Sequence, residues 1–399
     1  MQALVVGAGI GGLAVAGALA RDGWQVTVLE QAPGPRTAGY MIDFFGPGFV
    51  AAESLGAITH LQRRSELYER ARYVDPTGRT RARFPMDSFL NAAHGKFFSI
   101  LRPDIETGLR EWVGNSATIV QGAKVVSVEP GRCPDAEDPG MPARALLADG
   151  RSFEADLLVG ADGIHSAVRG FLPGTPASGV LRHLGLHVFG YVFYDPELAA
   201  SLGRDVVLSD SLVRQATLYA LSDGRVTFFG VVECSDPDPD GDAREDLIKQ
   251  FRGLGAHVDR ALARRPAEIF EDVVALAVVP AWSAGRCVLL GDAAFAVSLL
   301  AGQGASLAIS GAKVLADALG SGGNDIPAAL AGYEASWRPV VEQQQEAGRR
   351  NARFFVPSGR RALLLRRWSL HLMSLGPVNA VIARRVFGAS VVGKGHPAP

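Results

Sequence analysis

Ala3-Leu4-Val5-Val6-Gly7-Ala8-Gly9-Ile10-Gly11-Gly12 is the stretch that decides the fold of this chain. Its apolar start predicts a buried strand, and its glycines predict a tight turn into a helix that ends at Gly23. A second strand, over residues 25–29, ends in Glu30, which lies 18 residues after Gly12. Strand, glycine-rich turn, helix, second strand and closing acid are together typical of a dinucleotide-binding βαβ unit.

Each glycine in this turn has its own physical task. Gly7 permits the turn, Gly9 lets the backbone approach a pyrophosphate at the helix N-terminus, and Gly12 lets helix and strand pack closely. The Glu30 carboxylate can accept hydrogen bonds from ribose hydroxyls but repels a 2′-phosphate. The turn therefore favours the adenosine of FAD or NAD over that of NADP. A glycine-rich turn without a ligand is the less favoured interpretation.

A second polar turn interrupts an apolar run late in the chain. Residues 287–290 predict a buried strand that ends at Gly291-Asp292, and a buried aspartate must meet something polar. Gly302 and Gly304 then open a small-residue helix whose first turn presents free N–H groups and the positive end of a dipole. We predict a cradle for an anionic or carbonyl-rich ligand here. A transmembrane span over 287–319 is disfavoured because this segment contains charged residues and several glycines.

Three further positions are candidates for the same site. Residues 156–161 predict a buried strand that ends in Asp162-Gly163, and Ser166 can begin the helix that follows. Arg102 stands where a predicted strand gives way to a helix, a place from which an arginine can clamp a diphosphate; a surface arginine is the alternative. Asp43, within a short strand pattern, is placed near the cofactor.

Composition limits the class of protein. A chain of 399 residues with a net charge of -1 and 48% hydrophobic residues fits one large or two intertwined domains. It excludes a disordered chain and a general nucleic-acid-binding protein. Cys133, Cys234 and Cys287 are too far apart in sequence for a disulfide framework or a Cys-x-x-Cys pair. We expect a cytoplasmic protein, and assign no targeting sequence because the apolar residues 3–20 lack a basic flank.

A change of pattern between residues 179 and 279 predicts a second, sheet-containing domain. The predicted strands cover residues 186–194, 216–221 and 225–232, with a hairpin turn between the last two. The aromatic residues of this sheet are pocket candidates, although core packing is the favoured interpretation of each: Tyr191, Phe193, Tyr219 and Phe228.

We predict no metal site in this domain. His183 and His187 lie in a strand region without a nearby acid cluster. The acidic loop 236–241 imitates the start of a calcium loop, but Leu247 stands at the twelfth position and two prolines stiffen the loop. A solvated acidic loop is the favoured interpretation.

The tail from Glu346 to Pro399 is strongly basic, with ten Lys or Arg residues and Glu346 as its one acid. Leucines and Trp368 alternate with these arginines. We favour a helix that packs its apolar face on the body with its arginines outward. Contact with an anionic membrane or a partner protein is the less favoured alternative.

Three motifs stand in order along the chain: the Gly7-x-Gly9-x-x-Gly12 turn with Glu30, Asp162-Gly163, and Gly291-Asp292. This set resembles the group A flavoprotein monooxygenases, the family of para-hydroxybenzoate hydroxylase, which includes many aromatic polyketide hydroxylases and tetracycline-inactivating enzymes. The likeness covers roughly residues 1–345 and is far more specific than any single motif.

The resemblance implies an α/β fold, in which an FAD-binding, Rossmann-like domain of glutathione-reductase type carries an interleaved β-sheet substrate domain and C-terminal helices. We assign residues 1–178 and 280–345 to the FAD-binding domain, 179–279 to the substrate domain, and 346–399 to a basic helical segment.

The resemblance also implies FAD as the cofactor, with NAD(P)H as a transient co-substrate. The glycine turn and Glu30 would hold the ADP half of FAD, Arg102 the diphosphate region, Asp292 the ribityl chain, and the start of the late helix the flavin's pyrimidine edge. Asp162 would serve both FAD and NAD(P)H. The full set of predicted cofactor-binding residues is Gly7, Gly9, Ile10, Gly11, Gly12, Glu30, Asp43, Arg102, Asp162, Gly291, Asp292, Gly302, Gln303, Gly304, Ala305 and Ser306.

The implied activity is hydroxylation of an aromatic or polyketide-like small molecule with NAD(P)H and O2, through a flavin C4a-hydroperoxide. Phe295 and Leu299 depart from the family, which often has histidine and proline at these positions. A different flavin enzyme, such as a prenyl reductase or a non-redox cyclase with FAD as scaffold, is the alternative, and a flavin-binding regulatory protein is a third. The sequence names no catalytic acid or base and leaves the oligomeric state open.

Overall fold

The computed structural model describes residues 1–35, 38–132, 140–175, 179–236, 242–322, 325–357 and 359–373. Cys133 and positions 237–241 of the acidic loop lie outside these residues.

The strands, in chain order, are β1 (Gln2–Val6), β2 (Gln25–Leu29), β3 (Met41–Phe45), β4 (Ser65–Glu66), β5 (Arg70–Val74), β6 (Thr80–Pro85), β7 (Phe97–Leu101), β8 (Ala117–Val120), β9 (Val125–Glu129), β10 (Ala143–Leu147), β11 (Ser152–Ala155), β12 (Leu157–Gly160), β13 (Leu181–Tyr194), β14 (Asp205–Ser211), β15 (Arg214–Ala220), β16 (Arg225–Glu233), β17 (Phe270–Ala277), β18 (Ser283–Ala284) and β19 (Cys287–Leu289).

The helices are α1 (Ile10–Arg21), α2 (Pro47–Leu55), α3 (Ile58–Gln62), α4 (Asp87–Ala92), α5 (Arg102–Val113), α6 (Ala167–Phe171), α7 (Pro196–Leu202), α8 (Ala243–Phe251), α9 (Ala256–Ala263), α10 (Asp292–Phe295), α11 (Gly304–Ser321), α12 (Ile326–Phe355) and α13 (Arg360–Met373). A short 3₁₀ helix covers Leu299–Ala301.

A six-stranded sheet in the order β18-β19-β12-β1-β2-β8 forms the base of the fold. Its strands are parallel except for the edge strand β18. A parallel sheet needs cover on both faces, which explains why β1, β12 and β19 are almost entirely apolar and buried. The predicted βαβ unit is confirmed. Since β1, β12 and β19 are parallel neighbours, the polar turns that follow them meet at one edge of the sheet.

A seven-stranded sheet in the order β17-β13-β16-β15-β14-β5-β6 forms the second layer. The predicted hairpin between β15 and β16 is confirmed by their antiparallel pairing. Strands β5 and β6 lie outside residues 179–279 and reach this sheet because β5 pairs in parallel with β14. The division of the chain into domains remains a prediction.

The second layer has its own apolar core under helices α7, α8 and α9. Tyr191, Phe193 and Phe228 are buried in this core, where Tyr191 stacks on Phe228 at a centroid distance of 4.9 Å. Tyr219 instead packs edge-on against Tyr68 at 5.3 Å. Core packing is therefore confirmed for the first three aromatic residues.

The C-terminal helix α13 follows the expected orientation of its side chains only in part. Arg366 is buried and turned inward, whereas Leu364, Leu365 and Trp368 are exposed. The physical reason is Asp210 on β14, a buried carboxylate that needs cationic partners. The prediction of an inward apolar face and outward arginines is therefore wrong for these four side chains, although Leu363 is buried and Arg360 and Arg361 are exposed as predicted.

Within the residues that the structure describes, no helix is both long enough and apolar enough to cross a bilayer.

Candidate functional site

A cavity of about 370 Å³ opens where the three polar turns meet at the carboxyl edge of the parallel sheet. Its walls come from both layers of the molecule. The predicted cofactor-binding residues that line it are Gly7, Gly9, Ile10, Gly11, Glu30, Arg102, Asp162, Gly291, Asp292, Gly302, Gly304 and Ala305. The other four, Gly12, Asp43, Gln303 and Ser306, are absent from the lining.

The glycine turn is shaped by contacts that a side chain would break. Gly7 has a φ of +102°, and a Cβ there would lie 2.6 Å from the carbonyl oxygen of Ala161. A Cβ on Gly12 would lie 1.8 Å from the carbonyl oxygen of Gly7, so Gly12 packs α1 onto the turn. Gly9 has no heavy atom within 4 Å of its virtual Cβ, because that side faces the cavity. The open side leaves room for a ligand to reach the backbone.

The Glu30 carboxylate closes the first βαβ unit and faces the cavity. One of its oxygens accepts a hydrogen bond from Ala8 N at 2.7 Å, and the other accepts one from Ala32 N at 2.8 Å. Each carboxylate oxygen has further acceptor capacity. The side chain is therefore fixed in place and can still accept hydrogen bonds from two vicinal hydroxyls.

The Asp162 carboxylate holds its own loop together. It accepts hydrogen bonds from Ser166 Oγ and from the backbone N–H groups of Ala167 and Val168. Ser166 Oγ in turn accepts from Arg169 N at 3.0 Å and caps α6, as the sequence predicts. Asp162 lines the cavity, but its oxygens are largely used in capping.

Arg169 joins two of the polar turns, a role that the sequence analysis missed. The guanidinium is buried and donates to Ile164 O at 2.8 Å and to Ala293 O at 3.0 Å. Ile164 follows Asp162-Gly163, and Ala293 follows Gly291-Asp292. This side chain therefore links the two turns that follow the paired strands β12 and β19.

Arg102 begins α5 and extends a guanidinium into the cavity wall. Its Nη1 lies 3.1 Å from Glu106 Oε1, one helical turn later. Burial opposes the charge of Arg102, but the nearby carboxylates of Glu106 and Asp292 favour it, and the pKa of the guanidinium is raised. Arg102 therefore remains a cation inside the cavity.

Asp292 is the first residue of α10. Its side chain is accessible from the cavity, although many protein atoms surround it. Burial raises the pKa of its carboxyl, and nearby Arg102 opposes this shift. The start of α11 lies beside it, with Gly304 and Ala305 on the cavity wall. The first-turn N–H groups of this helix have no helical acceptor, so they can bind a carbonyl or an anion.

Ser306 has a different contact from the one predicted. Its Oγ accepts from Gly48 N at 2.8 Å and donates to Phe45 O at 3.0 Å. A Cβ on Gly48 would lie 2.4 Å from Ser306 Cα. The Ser306 side chain therefore joins α11 to the start of α2 and positions the cavity wall from behind.

Asp43 lies on the opposite side of β3 from the cavity. Tyr40 and Ile42 line the cavity, so the strand's alternation directs Asp43 away from it. Asp43 Oδ1 accepts a hydrogen bond from Ser99 Oγ at 2.6 Å. Burial raises the pKa of Asp43, and this hydrogen bond lowers it in part. The cofactor role of Asp43 remains a prediction without support from the cavity.

The two departures from the family pattern have different surroundings. Phe295 is buried against Trp282 at a centroid distance of 5.0 Å and does not line the cavity. Leu299 does line it, at the start of the 3₁₀ helix. Only the second departure therefore changes the surface that a ligand contacts.

Several cavity residues escaped the sequence analysis. Tyr40 contacts Phe270 and Phe229 at centroid distances of 5.1 and 5.2 Å, and Asp272 lies 3.2 Å from His165 Nε2 at the same cavity. Strand β17 brings Phe270 and Asp272 there, and no local motif marks that strand. The four-residue spacing of Arg102 and Glu106 is the one signal that could have found Glu106.

The comparisons with known proteins agree with this geometry. Residues 65–347 match the family described as FAD binding domain, and residues 5–69 match the NAD(P)-binding Rossmann-like domain. The chain is 31% identical over 340 residues to the aurachin C monooxygenase/isomerase of Stigmatella aurantiaca, with 84% of each chain covered. The chain belongs to the group A flavoprotein monooxygenases. It is therefore an FAD-dependent oxidoreductase, and the predicted family and cofactor are confirmed.

A further relative supports the same assignment, and two solved structures support the fold. The FAD-dependent urate hydroxylase of Mycolicibacterium vanbaalenii is 30% identical over 342 residues, with 84% of each chain covered. The structure of Klebsiella pneumoniae HpxO with FAD and uric acid has a TM-score of 0.76 at 24% identity, and covers 96% of this monooxygenase and 97% of HpxO. Tetracycline destructase Tet(51) has a TM-score of 0.77 at 21% identity, with 96% and 98% covered. These structures confirm the predicted fold class.

The residues of this monooxygenase fit FAD. The open side of Gly9 accommodates a diphosphate, and Glu30 offers acceptors to ribose hydroxyls. The N-termini of α1 and α11 both point their free N–H groups toward the same cavity. The cavity therefore has two helix N-termini that can bind anionic or carbonyl groups. The carboxylates of Glu30, Asp162 and Asp292 also line it.

Proposed function

We propose that this monooxygenase hydroxylates an aromatic or polyketide-like small molecule with NAD(P)H and O2. The observation that carries the proposal is the continuity of the cavity. It runs from the glycine turn and Glu30 to a wall that contains Tyr40 and Phe270. A cofactor held by the first end would extend toward the aromatic surface at the other end.

We assign the ADP half of FAD to the glycine turn, to Ile10 and Gly11, and to Glu30. Arg102 lies where it would neutralise the diphosphate, and Asp292 where it would bind the ribityl hydroxyls. Gly302, Gly304 and Ala305 would hold the pyrimidine edge of the flavin at the positive end of α11. Bound FAD supplies the oxygen chemistry, once NAD(P)H has reduced it.

The aromatic wall supports a planar substrate. Tyr40 lies on the cavity surface with its ring against Phe270 and Phe229 at 5.1 and 5.2 Å. Aromatic rings in this distance range attract one another beyond simple burial. A substrate ring placed on this wall would be oriented by stacking, which is the positioning that hydroxylation requires.

The polar groups of this wall can form hydrogen bonds with a substrate hydroxyl. Burial raises the pKa of Tyr40, so its hydroxyl stays protonated and can donate a hydrogen bond from Oη. The Asp272 carboxylate, which also lines the cavity, can accept a hydrogen bond from a substrate hydroxyl. Ile42, Val297 and Leu299 supply apolar surface that excludes water from the same region.

Steady-state kinetics with the purified, FAD-loaded enzyme tests the proposal. Candidate phenols should stimulate NADH or NADPH oxidation and be converted to hydroxylated products. Tyr40→Phe should keep its flavin and its fold. Its KM for the phenol should rise by a larger factor than the factor by which its rate of NAD(P)H oxidation without phenol falls. Conversion of substrate under nitrogen without reductant would instead support a non-redox cyclase. Reductant consumption that never yields an oxygenated product would contradict hydroxylation.

A further inference from the structure

Helix α13 is held to the body by its basic residues. Arg366 donates to Tyr73 Oη at 2.9 Å and to Gln215 Oε1, while Arg367 Nη2 lies 3.2 Å from Asp210 Oδ1. Arg366 Nη1 also lies 3.9 Å from Asp210 Oδ2. These contacts fix which side of the helix faces the seven-stranded sheet.

The opposite side of α13 carries an apolar patch, which we define as Leu364, Leu365 and Trp368. Their exposed fractions are 60%, 71% and 71%. With 3.6 residues per turn, these three positions fall on one side of the helix. Leu363, in contrast, is buried. The patch is therefore a consequence of how the arginine contacts orient the helix.

Two cations flank the apolar patch. Arg360 and Arg361 lie one turn before it, on the same side of α13, and both are exposed. Helix α13 contains no Asp or Glu that could offset them. An exposed helix side that combines leucines, a tryptophan and arginines is typical of helices that lie in the interface of a membrane.

We propose that the outward side of α13 docks on an anionic lipid surface. Leu364, Leu365 and Trp368 would enter the boundary between headgroups and acyl chains, and Arg360 and Arg361 would contact lipid phosphates. The helix lies on the bilayer and does not cross it. The docking does not depend on the cavity. It would place the hydroxylation proposed above at a membrane surface.

A second copy of the chain is a weaker occupant of the patch. A standard protein interface buries about 800 Å² on each partner. One tryptophan contributes at most about 250 Å², and two leucines cannot supply the remainder. Two copies would also bring Arg360 and Arg361 near their own equivalents, where like charges repel.

Co-sedimentation of the full-length, FAD-loaded enzyme with lipid vesicles tests this docking. The enzyme should sediment with vesicles of phosphatidylcholine mixed with phosphatidylglycerol, and should stay in the supernatant with phosphatidylcholine alone. Replacing all three patch residues by serine should lower the partition coefficient roughly tenfold or more. Arg360→Gln with Arg361→Gln should lower it by roughly tenfold.

The matched control replaces exposed apolar residues elsewhere. Leu67 and Val126 are 52% and 41% exposed, and Leu67→Ser with Val126→Ser should bind vesicles like the unmodified enzyme. All variants should keep the visible flavin spectrum and the Tm, because every changed side chain is on the surface.

Four results would overturn the docking. The first is an enzyme that stays in solution with anionic vesicles, and the second is a triple-serine variant that binds like the unmodified enzyme. The third is binding that appears only after residues 374–399 are removed, which would show that the chain covers its own patch. Sedimentation velocity that reveals a dimer, lost in the triple-serine variant, would assign the patch to a second copy and equally contradict the docking.

Discussion

Gly9 and Gly12 lie three residues apart in the glycine-rich motif. The methyl group that an alanine would add has very different surroundings at the two positions. Gly9→Ala should fold normally, because its Cβ would project into open space and its φ of -78° suits alanine. The same methyl group would occupy the cavity, so the dissociation constant for FAD should rise about tenfold or more. Gly12→Ala should destabilise the fold by about 3 kcal/mol or more, because its Cβ overlaps Gly7 O.

Thermal unfolding of the apoprotein and FAD titration separate the two glycine effects. The expected pattern is an unchanged Tm with weak FAD binding for Gly9→Ala, and a lowered Tm for Gly12→Ala. Gly23→Ala, at a glycine outside the cavity with a φ of +86°, serves as the control for strain alone. Full FAD affinity in Gly9→Ala would contradict the assignment of the diphosphate to this turn.

Asp292 links stability to pH in the apoprotein. Burial raises its pKa above the ordinary value of 3.8, so the unfolded chain loses this proton at lower pH than the folded chain does. Apoprotein stability therefore falls as pH rises from 3.8 through the raised value. Asp292→Asn should raise the apoprotein Tm only slightly at neutral pH, because the carboxylate is open to solvent in the cavity, and the difference should vanish as pH approaches 3.8.

The same Asp292→Asn variant should bind FAD more weakly, because it loses an anionic acceptor for the ribityl hydroxyls. Asp22→Asn, at the exposed end of α1, is the matched control and should change neither property. A lower Tm for Asp292→Asn at neutral pH would show that the carboxylate stabilises the apoprotein, against this account.

At the scale of elements, Arg169 links two of the polar turns. Arg169→Met should leave the carbonyl oxygens of Ile164 and Ala293 without their donor and cost about 3 kcal/mol. Arg144→Met, at an exposed arginine on β10, should cost close to nothing. Urea unfolding of both variants measures the difference, and equal stabilities would refute the proposed role of Arg169.

The elements that sequence analysis predicted well are those with a strong local pattern. The unit β1-α1-β2 follows from an apolar run, a glycine turn and a closing acid, all within residues 1–30. The sequence also predicts one helix from Gly48 to about Arg64, but Gly56 adopts a φ of +81° and divides this stretch into α2 and α3. The inward orientation of Arg366 in α13 was not predicted, since the helix sequence contains no sign of the buried Asp210 on β14.

At the scale of the whole molecule, the site combines parts that are distant in sequence. The sequence placed Asp162 and Asp292 after buried strands, and parallel pairing explains why their turns converge. Phe270 and Asp272 reach the cavity only because β17 is the edge strand of the second sheet. Long-range pairing of this kind has no local signature, so the aromatic wall could not be predicted.

Oxygen-18 labelling tests the central claim most directly: that one cavity holds FAD and an aromatic substrate together for oxygen transfer. The FAD-loaded enzyme, NAD(P)H and a phenol that stimulates its oxidation should react under ¹⁸O₂, followed by mass spectrometry of the product. The account predicts one atom of ¹⁸O in each hydroxylated product, with none when the label is supplied as H₂¹⁸O. Product that carries oxygen from water, or product that forms without O2, would contradict it.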